Sequence, residues 1–289
     1  MTMRQRPAVS VVIPHYNQNE SLERCIASVA CQLEGQDEII VVDDHSAQAP
    51  SMQTEGSGPA VRIIVLPENR GPGTARNIGA QQARCDYIAF LDADDAALPD
   101  RIDTQLRVLK DHPDWAGCVG GYIYHRNDER SAQSTGKDRV AFDIRRELIA
   151  GQIFAAGSTL MLKRQLFLDA GGYNPRLRVY EDWDLLLRAV LSAGIGHCGT
   201  ALAVVSPSTR RAGMDDRLRV LAQLGDTYAE RMKPKERRAF MQALAYERAS
   251  AYFRAGKSFN GLVAILVGFR YAPLTIMRRL WKRVVHGMP

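Results

Sequence analysis

Four short runs of β-branched and aliphatic residues recur near the start of the chain: "VSVVIP" (9–14), "EIIVVDD" (38–44), "VRIIVLP" (61–67) and "DYIAFLD" (86–92). Each is too short and too uniformly apolar to alternate between a wet and a dry face, so each predicts a strand buried on both sides. Helical patterns separate them. "NESLERCIASVACQ" places Leu22, Ile26 and Val29 at helical spacing, and "GTARNIGAQQA" opens a helix after a glycine-rich turn. Strands alternating with helices predict an α/β fold, a mostly parallel sheet flanked by helices. In such sheets ligands bind beyond the carboxyl ends of the strands. Three runs end in polar segments: "PHYN" (Pro14–Asn17), "DDHS" (Asp43–Ser46) and "DADD" (Asp92–Asp95). The topology therefore gathers their side chains at one edge.

Farther along, "PDRIDTQLRVLKDH" (99–112) predicts a helix with Pro99 at its first position. "GSTLMLKRQLFLDAGGYN" (157–174) predicts a strand, a helix and a Gly171–Gly172 turn, and "EDWDLLLRAVLSAG" (181–194) a helix with an acidic first turn. "TALAVV" (200–205) is the last expected strand. "SPSTRRAGMDD" (206–216) reads as a mobile loop, and Asp215 to Val285 is helical in pattern. The expected organisation is an α/β catalytic domain over 1–205, then a loop and a C-terminal helical appendage over 206–289.

Charge is unevenly placed. The net charge is +6, yet no acid follows Glu247 while eight bases do, from Arg248 to Arg283. The basic excess belongs to the tail, which argues against a nucleic-acid partner for the body of the chain. Phe259 to Phe269 is apolar but too short to cross a bilayer, and a basic amphipathic segment follows Pro273. That tail either lies on an anionic leaflet or packs against the protein. The five cysteines form no C-x-x-C pair, which predicts reduced thiols, no structural zinc and a cytoplasmic chain, peripheral on the membrane if the tail binds it. The N-terminus lacks the apolar stretch of a signal peptide.

Asp92, Asp94 and Asp95 fall within one turn at a strand end, where their mutual repulsion calls for positive charge. Two or three aspartates suffice for Mn²⁺ or Mg²⁺ when substrate phosphates supply the other ligands. The simpler reading is that Asp95 and Asp100 favour a helix start. The loop "GPGTARNIGA" is not a dinucleotide fingerprint, because Arg76 stands at the third glycine position. Glu181, Asp182 and Asp184 on spacing alone are an ordinary acidic helix start, with Arg188 paired to Asp184 at i, i+4. His125, His197 and His286 are isolated and read as structural or solvated.

Six segments in this order, "VSVVIPHYNQNESLERCIASV", "EIIVVDDHS", "NRGPGTARNIGA", "YIAFLDADD", "GGYN" and "YEDWDLLLRA", resemble family 2 of the inverting, nucleotide-sugar-dependent glycosyltransferases, over about residues 8 to 205. The resemblance implies a GT-A fold, a UDP-linked sugar donor, and a glycan or lipid-linked saccharide acceptor of cell-surface polysaccharide synthesis. It implies nucleotide-sugar contacts from Pro14, Tyr16, Asp43, Asp44, Asp92 and Ala93, and from Arg70 or Arg76. Asp94, with Asp92, would hold the divalent cation. Asp182 of the Glu181–Asp182 pair would be the general base, with Trp183 beside it toward the acceptor. Two positions depart from the pattern. His15 stands where the family most often has Thr, and the Tyr-Arg-x-His segment after the last strand is missing, leaving Arg210 and Arg211 to cover the diphosphate. The competing readings are a metal-dependent nucleotidyltransferase, for which the basic glycine loop after the first strand is lacking, and a binding-only relative.

Overall fold

The computed structural model describes residues 6–51, 59–126, 129–133, 140–153, 157–206 and 212–271. In chain order the elements are β1 (Val9–His15), α1 (Asn19–Ala30), β2 (Glu38–Asp43), β3 (Ala60–Val65), α2 (Pro72–Gln82), β4 (Tyr87–Phe90), β5 (Ala96–Ala97), α3 (Arg101–Asp111), β6 (Trp115–Arg126) and β7 (Glu129–Gln133). They continue with β8 (Phe142–Asp143), α4 (Arg145–Ile149), β9 (Met161–Lys163), α5 (Arg164–Asp169), α6 (Glu181–Ser192), β10 (Gly194–Val205), α7 (Met214–Tyr228), α8 (Pro234–Arg254) and α9 (Ser258–Phe269).

Among the described residues one sheet runs β3-β2-β1-β4-β9-β6-β10-β5, with β7 on β6 and β8 on β10. The four N-terminal strands are parallel to one another, as are β6 and β10, while β9 runs antiparallel between β4 and β6. Period-2 alternation divides the apolar side chains between two faces. Val9, Val11 and Ile13 of β1 pack with Leu22, Ile26 and Val29 of α1 and with Ile102 and Leu106 of α3. Val12 and Val42 face α2 instead. There a Cβ added to Gly79 would lie 2.4 Å from Val12, so glycine lets the helix sit close on the strands.

Pro99 does not open α3. The helix starts at Arg101, because Asp100 before it holds a left-handed φ of 60°, a conformation Asp tolerates better than most residues. The long β6 had no strong counterpart in the sequence. Its glycines lower strand propensity but are needed for packing: a Cβ on Gly117 would sit 2.2 Å from Leu162, and one on Gly120 2.4 Å from Leu202.

Two compact units are present. The first lies within Met1–Ile144, Ala155–Arg176 and Glu181–Thr209 and contains the sheet. The second lies within Arg145–Phe154, Leu177–Tyr180 and Arg210–Pro289. Within it Arg145 Nε donates to Glu236 Oε1 at 2.8 Å, and the Tyr180 hydroxyl donates to Glu247 at 3.1 Å. Among the described residues no helix is long and apolar enough to cross a membrane, and the five cysteines are unbridged.

Candidate active site at the strand ends

Register places the three polar segments side by side. His15 pairs with Asp43 across β1 and β2, and Val12 pairs with Phe90 across β1 and β4. Just past these pairs, Tyr16, Asp44 and Asp92 lie at the common edge. Pro14 is buried in β1 and Tyr16 is exposed. His15 is buried. Its Nδ1 lies 2.9 Å from Asp43 Oδ1, and its Nε2 accepts the Gln18 N–H at 3.2 Å. That pair of contacts requires the proton on Nδ1. A hydroxyl at position 15 could not bridge both partners, so the His in place of Thr has a structural use. The Asp43 carboxylate is fully buried and also receives the Ser46 hydroxyl and N–H. Asp44 is spent on the backbone as well: Arg70 N–H and Gly71 N–H donate to its two oxygens at 2.7 Å each. It thereby fixes the glycine-rich turn, where Gly71 has a φ of 86°.

The two candidate arginines separate clearly. Arg70 has a half-exposed side chain, with Glu68 3.9 Å away. Arg76, on α2, is buried and ion-paired through Nη2 to Asp92 Oδ1. Burial works against its charge, but Asp92, Tyr173 and Asp182 hold its pKa above the ordinary value. Here is the positive charge that the acidic turn demands. Its Nε and Nη1 are buried without a hydrogen-bond partner among the described residues, and its guanidinium lies 5.1 Å from the centre of the Tyr173 ring.

The acidic turn itself is built from inside. The Ser158 hydroxyl accepts the Asp92 N–H at 3.0 Å and donates to Asp95, whose other oxygen accepts the Ser206 N–H at 2.8 Å. Asp95 is therefore an internal tie between β4, the Gly157–Thr159 turn and the end of β10, and not a helix cap. Burial, with Asp92 nearby, pushes its carboxyl up to about 7. Ala93 is buried, Asp92 keeps 32% side-chain exposure and Asp94 is exposed. Ser206 also donates to the Asp94 carbonyl at 2.6 Å.

Asp182 stands in the first turn of α6. The Tyr173 hydroxyl donates to its Oδ1 at 3.0 Å. Tyr173 is fully buried and anchored by Asn77 of α2, which donates to its carbonyl and accepts its N–H, both at 2.7 Å. A Cβ on Gly157 would lie 3.4 Å from Asp182 Oδ1 and 3.5 Å from Arg76 Nη2, so both groups face the same small space. Burial pushes the Asp182 carboxyl up to about 7; Glu181 and Asp92 add to the rise, and Arg76 and the Tyr173 hydroxyl oppose it. Glu181 is half-buried, and Trp183 is buried at 2% exposure. Asp184 pairs with Arg188 at 2.6 Å, as its spacing predicts, and Arg188 also donates to the Gly172 carbonyl at 2.7 Å. Arg210 and Arg211 lie outside the described residues. Tyr173, Asn77, Ser158 and Ser206 carry no charge and match no acid–base pattern, so only their contacts reveal them.

Asp92 and Asp94 present oxygen donors at a solvent-open turn, with no third His, Cys, Asp or Glu completing a cage among the described residues. Such a pair fits Mn²⁺ or Mg²⁺ shared with phosphate oxygens better than a closed protein site.

A Haemophilus influenzae protein described as an uncharacterized glycosyltransferase is 28% identical over 186 residues, which cover 62% of this chain and 61% of that protein. The Rhizobium meliloti succinoglycan biosynthesis protein ExoO is 43% identical over 113 residues, 39% of this chain and 31% of its own length. This chain thus spans less than two thirds of either relative. The crystal structure of residues 1–349 of S. aureus TarS in complex with UDP-GlcNAc superposes with a TM-score of 0.64 at 16% identity, covering 89% of this chain and 90% of that one. The likeness establishes a GT-A fold. The model described as glycosyl transferase family 2 matches residues 10–170, from β1 to the end of α5. More than half of the chain, including all three polar strand ends and Arg76, lies within that match, and the chain belongs to glycosyl transferase family 2.

Proposed function

We propose that the chain is an inverting glycosyltransferase that moves a sugar from a UDP-linked donor to a hydroxyl of a glycan or lipid-linked saccharide. The observation that carries this reading is the carboxylate of Asp182, held by Tyr173 and raised toward neutrality beside the Arg76–Asp92 pair. Inverting transfer is a single displacement at the anomeric carbon. A base must remove the acceptor's proton on the face opposite the leaving nucleotide. A carboxylate of pKa about 7 is suited to that task near neutral pH. Tyr173 occupies Oδ1 and leaves Oδ2 to take the proton. The Tyr173 hydroxyl, itself held well above its ordinary value by burial and by Asp182, stays protonated throughout.

At the other side of the site, Asp94 with Asp92 would hold the divalent cation, which when bound neutralises charge developing on the departing diphosphate. The unpartnered Nε and Nη1 of Arg76 favour Arg76 over Arg70 as the arginine that meets a donor oxygen, because unmet buried donors cost about 1–3 kcal/mol each. Tyr16, exposed just past β1, would pack on the nucleoside, with Pro14 and Ala93 contributing backbone. Asp43 and Asp44 act by fixing the loops that line it. The choice of UDP rests on the ligand in the TarS crystals, and the setting of polysaccharide synthesis on the name of ExoO.

A panel of nucleotide sugars incubated with the protein and Mn²⁺ tests the reading. Slow release of UDP from one UDP-sugar, absent without metal, is expected. Release of pyrophosphate from a nucleoside triphosphate and a sugar phosphate would instead mark a nucleotidyltransferase.

A further inference from the structure

α9 carries no charged residue, and its side chains divide sharply between two faces. Gly261, Ile265 and Gly268 are buried. Ile265 packs with Ala249 of α8, and a Cβ on Gly261 would come within 2.7 Å of the Phe253 ring, so α9 lies close on α8. The opposite face shows Phe259 at 78% exposure, Leu262 at 55%, Val263 at 44%, Leu266 at 64% and Val267 at 44%. These positions follow the i, i+3, i+4, i+7, i+8 rule of a helical stripe, which normally faces a protein core. Here the stripe is turned outward.

The flanks say what covers it. Arg254 and Lys257 before the helix and Arg270 after it are exposed, and the chain contains no acid beyond Glu247. Four further bases, Arg278, Arg279, Lys282 and Arg283, follow in the sequence. An acidic protein partner would satisfy the bases but leave five large apolar side chains to be matched. A second copy of this chain would meet the apolar stripe but bring like charges together at its ends. An anionic lipid surface satisfies both, with acyl chains under the stripe and headgroup phosphates at the bases. A helix of 12 residues is about 18 Å long, against a hydrocarbon core of about 30 Å, so it lies in the interface and does not cross it.

From these observations we propose that α9 docks the chain on an anionic membrane surface, whatever the chain's catalytic activity. Co-sedimentation of the full chain with phosphatidylcholine vesicles, with and without phosphatidylglycerol, tests it. Binding to the anionic vesicles is expected, weakened by salt. Leu262→Gln combined with Leu266→Gln should lower that binding by about tenfold or more, since two exposed leucines no longer enter the acyl region. Both positions are exposed, so an unchanged urea midpoint should accompany the loss. Lys257→Glu with Arg270→Glu should also weaken binding and flatten its salt dependence. In Val263→Trp, the added fluorescence should shift to the blue when anionic vesicles are present. Absence of binding to anionic vesicles, or equal binding by the double Gln variant, would overturn the proposal. So would a concentration-dependent dimer in sedimentation velocity that the double Gln variant abolishes, since the stripe would then be a contact between copies.

Discussion

The Tyr173 hydroxyl donates to Asp182 Oδ1 at 3.0 Å, from a ring that also lies against the Arg76 guanidinium. One buried phenol therefore touches both the candidate base and the cation that compensates the acidic turn.

Tyr173→Phe removes a hydrogen bond that favours the ionised carboxylate, so the Asp182 pKa should rise above about 7. The base works only when ionised. The acid limb of the turnover–pH profile should therefore move to higher pH, with the loss largest near pH 6 and smallest at high pH. A loss equal at every pH would mean that Tyr173 only supports the fold.

Asp182 should also leave a mark on stability. Its folded pKa is raised from 3.8 to about 7, so between those values the folded chain holds a proton that the unfolded chain has released. That contribution is fully present below about 4 and is lost as pH rises through about 7. Asn cannot ionise. Urea unfolding should show Asp182→Asn gaining on the native protein as pH goes from 5 to 8. A constant difference between the two would contradict the raised value.

Arg76→Met should destabilise the chain by roughly 1–3 kcal/mol in urea unfolding. This is less than a fully buried ion pair would cost, because Asp92 is partly open to solvent. Arg76→Lys, which keeps the charge but loses the fork, should cost less. A neutral effect of Arg76→Met would remove it as the counter-charge of the turn.

What the sequence disclosed and what it hid follow one physical division. Strand runs such as Val9–Pro14 and their polar ends were legible because burial on both faces leaves a compositional trace, and parallel topology then brings the ends together. β6 was hidden because Gly117 and Gly120 serve close packing against Leu162 and Leu202, a need no local propensity expresses. Asp43 and Asp44 were legible as strand-end carboxylates, but not that Asp43 would turn to His15 and Ser46 and Asp44 to the Arg70 and Gly71 amides. Arg70 and Arg76 were indistinguishable as letters; the fold buries Arg76 against Asp92 and Tyr173 and leaves Arg70 half-exposed. The couplings of Tyr173 to Asp182 and of Ser158 to Asp95 link residues from separate segments, and only the fold brings them into contact.

Asp94→Ala should stay folded, because its side chain is exposed, and should lose Mn²⁺-dependent affinity for UDP in calorimetry. Identical affinity of the native protein with and without Mn²⁺ would remove the metal from the account.

The most direct test of the central claim compares binding with turnover in Asp182→Asn, which keeps the shape of the side chain and cannot accept the proton. UDP affinity in the presence of Mn²⁺, measured by calorimetry, should stay near the native value, while sugar transfer from the active UDP-sugar should fall by roughly 10²–10⁴-fold. Transfer at a near-native rate by Asp182→Asn would contradict the account.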